Sequence, residues 1–103
     1  MLLKSAIERK LLTSPSLRRW LAHGDIPNVN PPVGREYDLT LRDLVVCKVF
    51  EIGASFGNLE LARALAIEAH QKIRADIISP LVATGPHWRL EIDLASVMSE
   101  VNV

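Results

Sequence analysis

Residues 12–27 read LTSPSLRRWLAHGDIP, and this segment decides how the first half of the chain folds. Ser14 can accept a hydrogen bond at a helix N-terminus, and Pro15 fits the first helical position, where its missing N–H costs nothing. Gly24 readily adopts the left-handed conformation that ends many helices. The segment therefore predicts a short helix over residues 15–23.

One face of this predicted helix is apolar, because Leu17, Trp20 and Leu21 are spaced by three and four residues. An amphipathic helix over residues 2–12 precedes it and is expected to receive this face. The apolar residues of that first helix are Leu3, Ile7 and Leu11. The side chains of the second helix that are left pointing outward are Ser16, Arg18, Arg19, Ala22 and His23.

Two exposed arginines on a short, firmly seated helix favour contact with DNA. An arginine can donate two hydrogen bonds to guanine O6 and N7 in the major groove, and N–H groups at a helix start favour phosphate. Two helices joined by a short break also have the layout of a helix-turn-helix. The alternative is an ordinary solvated helix face, and the arginine pair alone does not decide between them.

The segment 25–39, DIPNVNPPVGREYDL, is too rich in proline, asparagine and glycine to form a helix. We predict two short strands, DIPNV and REYDL, around an NPPVG tip. Such a wing would place Arg35 beside a DNA phosphate with Tyr37 packed beneath it, while Asn28 and Asn30 add hydrogen bonds to phosphate. A simple surface loop is the alternative interpretation.

Thr40 and Asp43 match a reciprocal capping pattern at the start of an apolar helix. This helix is expected to lie at the centre of the core and to end at Gly53. Asn58 is then expected to cap a long helix over residues 59–78, in which a stripe of alanines lets another helix approach closely.

The last quarter of the chain predicts a β-hairpin that turns at residues 84–86, followed by a short helix over ASVMSEV. The apolar positions that alternate along its second strand are Trp88, Leu90, Ile92 and Leu94. The predicted fold is therefore mainly α with a small β component. It divides into a winged helix-turn-helix region over residues 1–57 and a dimerisation region over residues 58–103, within one compact domain.

Composition limits the classes of function. The chain has 103 residues, of which 49% are hydrophobic and 5% aromatic, which favours an aliphatic, mostly helical core. The net charge is zero, which argues against coating nucleic acid by charge alone. The first 48 residues nevertheless carry eight basic and five acidic side chains, and the remaining residues four basic and seven acidic. This asymmetry favours contact of the N-terminal half with a polyanion.

No pattern of an enzyme or a cofactor site is present. Cys47 is the only cysteine, so neither an internal disulfide nor a cysteine zinc site is expected, and a reduced cytoplasm is the default. His23, His70 and His87 fall on different predicted elements without metal-ligand spacing. Nucleophile-elbow, phosphate-loop and zinc-protease motifs are absent. We expect no catalytic activity, no metal, no cofactor, no signal peptide and no membrane span.

The order of these parts resembles the MerR-like winged helix-turn-helix family. Its members combine a T-L-R-x-W/Y helix, a glycine turn, a wing with R-x-Y, and a helix that opens with aspartate. The matching pieces, within residues 3–60, are Ser16-Leu17-Arg18-Arg19-Trp20, Gly24-Asp25-Ile26, Gly34-Arg35-Glu36-Tyr37 and Asp43-Leu44. The resemblance implies that Arg18 and Arg19 lie on a recognition helix with Ser16 close to the DNA, and that Arg35 lies on a wing.

The chain departs from that family in its details. DLTLR lengthens the exit from the wing, and Thr13-Ser14 replaces the usual glycine turn. Neither a long coiled-coil tail nor an effector domain is expected, so ligand sensing is not implied. The small members are the better comparison, namely excisionases, phage regulators and terminase small subunits.

We therefore expect a sequence-specific duplex-DNA-binding protein that regulates transcription and forms a homodimer through residues 59–103. The candidate DNA-binding residues are Ser14, Ser16, Arg18, Arg19, His23, Asn30, Arg35 and Arg42. Substitution Arg35→Ala is expected to weaken binding to all sequences alike. One alternative is a phage-type terminase small subunit or an excisionase. Another is an adaptor or anti-repressor that uses the same fold to bind protein.

Overall fold

The computed structural model describes residues 1–29, 32, 34 and 36–102. Over these residues the chain forms five α-helices and one two-stranded antiparallel sheet, so the expectation of a mainly α fold with a small β component is confirmed. The elements in chain order are α1 (Leu3–Glu8), α2 (Leu17–Ala22), α3 (Leu41–Ala54), α4 (Leu59–Arg74), β1 (Leu81–Thr84), β2 (Arg89–Ile92) and α5 (Leu94–Val101).

Helix α1 ends earlier than the predicted helix over residues 2–12. Lys10 adopts a left-handed conformation with φ of 59°, and its N–H and that of the next residue donate to carbonyls one turn back. This is the Schellman ending that glycine usually supplies, so the sequence gives no signal for it. The chain then turns and buries Leu12, whereas Ile7, which was expected to contact α2, is 38% exposed.

Helix α2 has six residues, shorter than the predicted span of residues 15–23. The predicted N-cap at Ser14 is wrong, because the helix begins at Leu17 without a side-chain cap; the Oγ of Ser14 accepts the N–H of Ser16 at 3.2 Å within the preceding turn. Gly24 ends the helix as predicted, with φ of 72° and Schellman hydrogen bonds to the last turn. The apolar face is buried as predicted at Leu17, Trp20 and Leu21.

Helix α3 is the centre of the core. The N–H of Asp43 donates to Thr40 Oγ1 at 3.1 Å and the N–H of Thr40 donates to Asp43 Oδ2 at 3.0 Å, so the predicted capping box is confirmed. Phe50 is fully buried and meets Trp20 of α2 edge to face, with ring centroids 5.1 Å apart. Through this aromatic contact α2 packs on α3, whereas the sequence had predicted that α2 packs on α1.

Helices α3 and α4 approach closely where two small residues meet. A Cβ placed on Gly53 would lie 2.6 Å from the Cα of Ala62, so no larger residue fits without moving a helix. Gly53 therefore serves packing inside α3, which continues to Ala54, and does not end the helix as predicted. Further along α4, Ala66 and Ala69 are fully buried, which confirms the predicted alanine stripe.

Helix α4 begins as predicted, because Asn58 Oδ1 accepts the N–H of Leu61 at 3.1 Å. It ends at Arg74 and not near residue 78, because Asp76 has φ of 58° and closes a second Schellman ending without glycine. The ammonium group of Lys72 then donates to the carbonyl of Pro80 at 2.7 Å and ties down the segment that follows.

The predicted hairpin is present, with Leu81 of β1 opposite Ile92 of β2 and Thr84 opposite Arg89. Trp88 lies before β2 and is 49% exposed, so it does not continue the buried face of that strand as predicted. Its indole instead covers Gly85 in the turn, where a Cβ would have no room.

The last helix, α5, begins with a side-chain cap. Asp93 Oδ1 accepts the N–H of Ser96 at 3.2 Å, and Asp93 Oδ2 accepts the hydroxyl of the same serine at 2.9 Å. Asp93 is exposed and marks the junction between β2 and α5.

The predicted strand DIPNV is wrong. Residues 25–29 form bends and a turn, and Asn28 has φ of 63°. Proline at position 27 lacks the N–H that a strand ladder needs, and a left-handed residue cannot continue a strand. Asn30 and Arg35, together with Pro31 and Val33, lie outside the described residues.

The segment REYDL pairs with the beginning of the chain. The N–H of Leu3 donates to the carbonyl of Tyr37 at 3.0 Å, and the N–H of Leu39 donates to the carbonyl of Met1 at 2.7 Å. These bonds form an antiparallel bridge at Leu2 and Asp38. Residues 36–39, which precede α3, are therefore fixed beside α1.

Candidate nucleic-acid interface

A buried carboxylate holds the turn between α1 and α2. Glu51 of α3 is only 9% exposed, and its Oε1 accepts the N–H of Thr13 at 2.9 Å and the N–H of Ser14 at 2.7 Å. The turn therefore has its backbone donors satisfied from α3, and the angle at which α2 leaves it is fixed. Sequence reasoning missed Glu51, although an acid within an otherwise apolar helix is a signal for such a role.

Arg18 is held by Glu36, which lies in the segment before α3. Its Nη1 donates to Glu36 Oε1 at 3.0 Å and its Nη2 donates to Glu36 Oε2 at 3.1 Å. The hydrogen bond with Arg18 lowers the pKa of the Glu36 carboxyl, which also accepts the N–H of Tyr37 at 3.0 Å. The same hydrogen bond raises the pKa of Arg18, whose side chain is 52% exposed. Sequence reasoning did not anticipate this pair.

Arg19 lies on the outer side of α2, where its Nη2 donates to the hydroxyl of Ser16 at 3.2 Å. Among the residues that the structure describes, Arg19 forms no ion pair. His23 is exposed at the end of the same helix. Arg19, Ser16 and His23 therefore remain on one short helix, while Ser14, half-buried beneath it, serves the turn.

Arg42 lies at the opposite end of α3 from Gly53. Because α3 and α4 are consecutive, closely packed helices joined only by residues 55–58, the first turn of α3 comes to lie beside the end of α4. Burial lowers the pKa of His70 most, the positive charges of Arg42 and Arg74 lower it further, and the carboxylate of Asp43 acts in the opposite direction. The candidate Arg42 therefore lies near His70 together with Arg74, which sequence reasoning missed, and we refer to these two arginines as the basic cluster.

Arg63 of α4 contacts the end of α2, since its Nη1 donates to the carbonyl of Gly24 at 3.2 Å. Cationic side chains stabilise helix C-termini, where backbone carbonyls lack partners. The contact links α2 directly to α4, and nothing in the local sequence around either residue indicates it.

A second exposed feature lies at the hairpin. Phe56 and Trp88 are 59% and 49% exposed and line an open groove of about 380 Å³. The other residues that line it are Asn58, Leu61, Arg89 and Leu90. Arg89, which lines the groove, pairs with Glu91, with 3.6 Å between Nη2 and Oε2. Large apolar side chains exposed next to one another favour contact with another protein.

Comparison with known proteins gave no match to a family model, to a curated protein or to a solved structure. Across residues 1–29, 32, 34 and 36–102, no group of histidine, cysteine and acidic side chains could hold a metal ion. In the same part of the chain, no helix has both the length and the hydropathy needed to cross a bilayer.

Proposed function

We propose that this chain is a sequence-specific duplex-DNA-binding protein of the winged helix-turn-helix type and that it regulates transcription. The main support is the set of contacts that fix the orientation of α2. Trp20 packs on Phe50, Glu51 accepts hydrogen bonds from the turn before α2, and Arg63 donates to the carbonyl of Gly24 just after the helix. A helix fixed from three directions can present its outer arginines in one orientation, as groove recognition requires.

The charges of α2 agree with this proposal. Arg19 is exposed and forms no ion pair among the described residues, so its guanidinium can reach a guanine edge. Arg18 is paired yet half-exposed. The N-terminal half carries the excess of basic residues. Arg42 and Arg74 supply a further positive cluster, suited to the DNA backbone.

The direct experiment is a binding-site selection from random duplexes at two salt concentrations. We expect recovery of a defined sequence whose affinity falls as salt rises. Arg19→Ala should weaken binding to that sequence by about 1–3 kcal/mol and relax preference at one position. Arg19→Lys keeps the charge but loses the paired donors, so it should relax the same preference while keeping the salt dependence.

An adaptor that binds protein is the second candidate, because the net charge is zero and the groove at Phe56 and Trp88 is apolar. In that case the wild-type protein would bind no duplex even at low salt. Selection without any enriched sequence, together with no duplex affinity at low salt, would therefore replace the first proposal with the second.

We also propose that the protein forms a homodimer through the region 59–103, with the groove that Trp88 forms with the neighbouring Phe56 at the centre of the interface. A two-fold axis brings the same surface of both copies together, so a self-complementary surface is required. Arg89 and Glu91 provide both signs of charge at the edge of the groove, and each can face the opposite residue of a second copy. The apolar side chains between them supply the area that would become buried.

A further inference from the structure

Glu36 uses only one edge of the Arg18 guanidinium. The carboxylate accepts one N–H from each terminal nitrogen of the arginine, at 3.0 and 3.1 Å. A guanidinium carries its N–H donors in a rigid planar fork. The Nε–H and the outer N–H of Nη2 therefore form a second parallel pair along a different edge. Among the described residues, no hydrogen-bond partner occupies that second edge of Arg18.

Two features make the pair rigid. Oε1 of Glu36 also accepts the N–H of Tyr37 at 3.0 Å, so the carboxylate is anchored to the backbone beside α1. Arg18 itself stands on α2, which Phe50 and Glu51 fix from below. The guanidinium is thus held from both sides and loses little conformational freedom when it meets a ligand.

Pairing also changes what Arg18 can recognise. A guanidinium next to a carboxylate carries little net charge toward the surroundings, so it gains little from the general attraction of phosphates. Directional hydrogen bonds from its second edge remain available. Guanine offers two acceptors, O6 and N7, at the spacing that such a pair of donors fits.

We propose that Glu36 is a specificity-determining residue that positions Arg18 so that its second edge reads a guanine in the major groove. This inference rests on the proposed DNA-binding function. Arg18 and Glu36 together would recognise one guanine. Glu36 would therefore contribute to specificity even though its negative charge is repelled by DNA.

The test uses the duplex recovered by selection, and the same duplex with 7-deazaguanine placed at one guanine at a time. Removal of N7 deletes one of the two acceptors. We expect one guanine at which the wild-type protein loses affinity and at which replacement by adenine costs about 5- to 150-fold. In the Glu36→Gln variant, the loss of affinity on removal of N7 and the loss on replacement by adenine should both largely disappear at that guanine. Both losses should persist at the other guanines.

Glu100→Gln is the matched control, because it removes an exposed acid from α5 and changes the net charge equally. Both variants should bind random duplex slightly more tightly than the wild type, since each removes one negative charge. Only Glu36→Gln should lose discrimination. Arg18→Ala should lose it at the same guanine, and the double variant should lose no more than either single one.

Unchanged discrimination in Glu36→Gln, with thermal unfolding like that of the wild type, would overturn the inference and leave the proposed function standing. Tighter binding to the selected site with unchanged discrimination would also overturn it, since Glu36 would then restrain Arg18 from DNA. If the wild-type protein bound no duplex at low salt, the proposed function would fail and the inference with it.

Discussion

At the scale of the residue, the side chains that matter most are those that satisfy backbone or charged groups from far along the chain. Glu51 and Glu36 both do this. Glu51 accepts two N–H groups of the turn before α2, and Glu36 holds a guanidinium on that helix. The structural role of each glutamate depends on a partner distant in sequence, which secondary structure alone does not reveal.

Glu51→Ala tests the turn between α1 and α2. It leaves two backbone donors without their acceptor in a largely buried place, so we expect the free energy of unfolding to fall by about 2–4 kcal/mol. Urea denaturation followed by circular dichroism measures this. Glu68→Ala removes only a surface pair with Lys72, at 3.3 Å, and should cost at most about 0.5 kcal/mol. Equal losses in the two variants would contradict the role of Glu51.

At the scale of the element, the sequence predicted where helices begin better than where they end. Side-chain caps were predictable at Thr40 and Asn58, because an acceptor stands directly before the helix that it caps. The ends at Lys10 and Asp76 were not, since lysine rarely adopts the left-handed conformation and aspartate adopts it far less readily than glycine.

Gly53→Ala tests the close approach of α3 and α4. Alanine favours a helix over glycine by about 1 kcal/mol, but here its Cβ would overlap the backbone of α4 at Ala62. We expect the overlap to dominate, with a net loss of about 1–3 kcal/mol in the free energy of unfolding. Ser99→Ala, at an exposed position of α5, should change stability little. A Gly53→Ala variant at least as stable as the wild type would show that the helices can separate without cost.

Asp93 makes the start of α5 sensitive to acid. Hydrogen bonds from Ser96 lower the pKa of Asp93 in the folded state, so the cap stabilises the fold above the pKa of the unfolded state. That stabilisation is lost as pH falls through the lowered pKa. Asn caps helices without titrating, so Asp93→Asn should lose less stability between neutral and acid pH than the wild type. Thermal unfolding over a pH series measures the difference, and parallel curves would contradict it.

At the scale of the whole molecule, two exposed surfaces of the described residues are candidates for binding. One is the outer side of α2, to which we propose that the basic cluster of Arg42 and Arg74, at the start of α3 and the end of α4, adds a separate contact. The other is the groove at Phe56 and Trp88. The proposed function uses the first for DNA and the second for a partner copy.

Arg42→Ala combined with Arg74→Ala tests the outlying basic cluster. Loss of two phosphate contacts should reduce the slope of log affinity against log salt by about 2, with no change in sequence preference. The doubly substituted lysine variant keeps both charges and should keep the slope. An unchanged slope in the alanine variant would mean that this cluster does not face DNA.

Trp88→Ser tests the proposed dimer. It removes a large apolar side chain from the centre of the groove, so the dissociation constant of the dimer should rise at least tenfold in sedimentation experiments. Leu2→Ser, which removes a 49% exposed residue outside both that groove and the region 59–103, is the control and should leave the constant unchanged. A wild-type protein that stays monomeric at high concentration would contradict the dimer.

The sequence predicted the local parts of this arrangement better than the distant ones. Gly24, Thr40 and Asn58 were placed correctly because their roles depend on neighbours within four residues. The edge-to-face contact that seats α2, and the partner of Arg18, join residues far apart in the chain. Such contacts depend on how the helices pack, which no single segment encodes.

The bond from Arg63 to the carbonyl of Gly24 has a consequence for the spacing of an operator. The bond holds the end of α2 against α4, so in the proposed dimer each α2 would move together with the dimer interface as one rigid body. The two α2 helices would then span a fixed number of base pairs. Operators lengthened by half a helical turn of DNA should then bind as poorly as a single half-site.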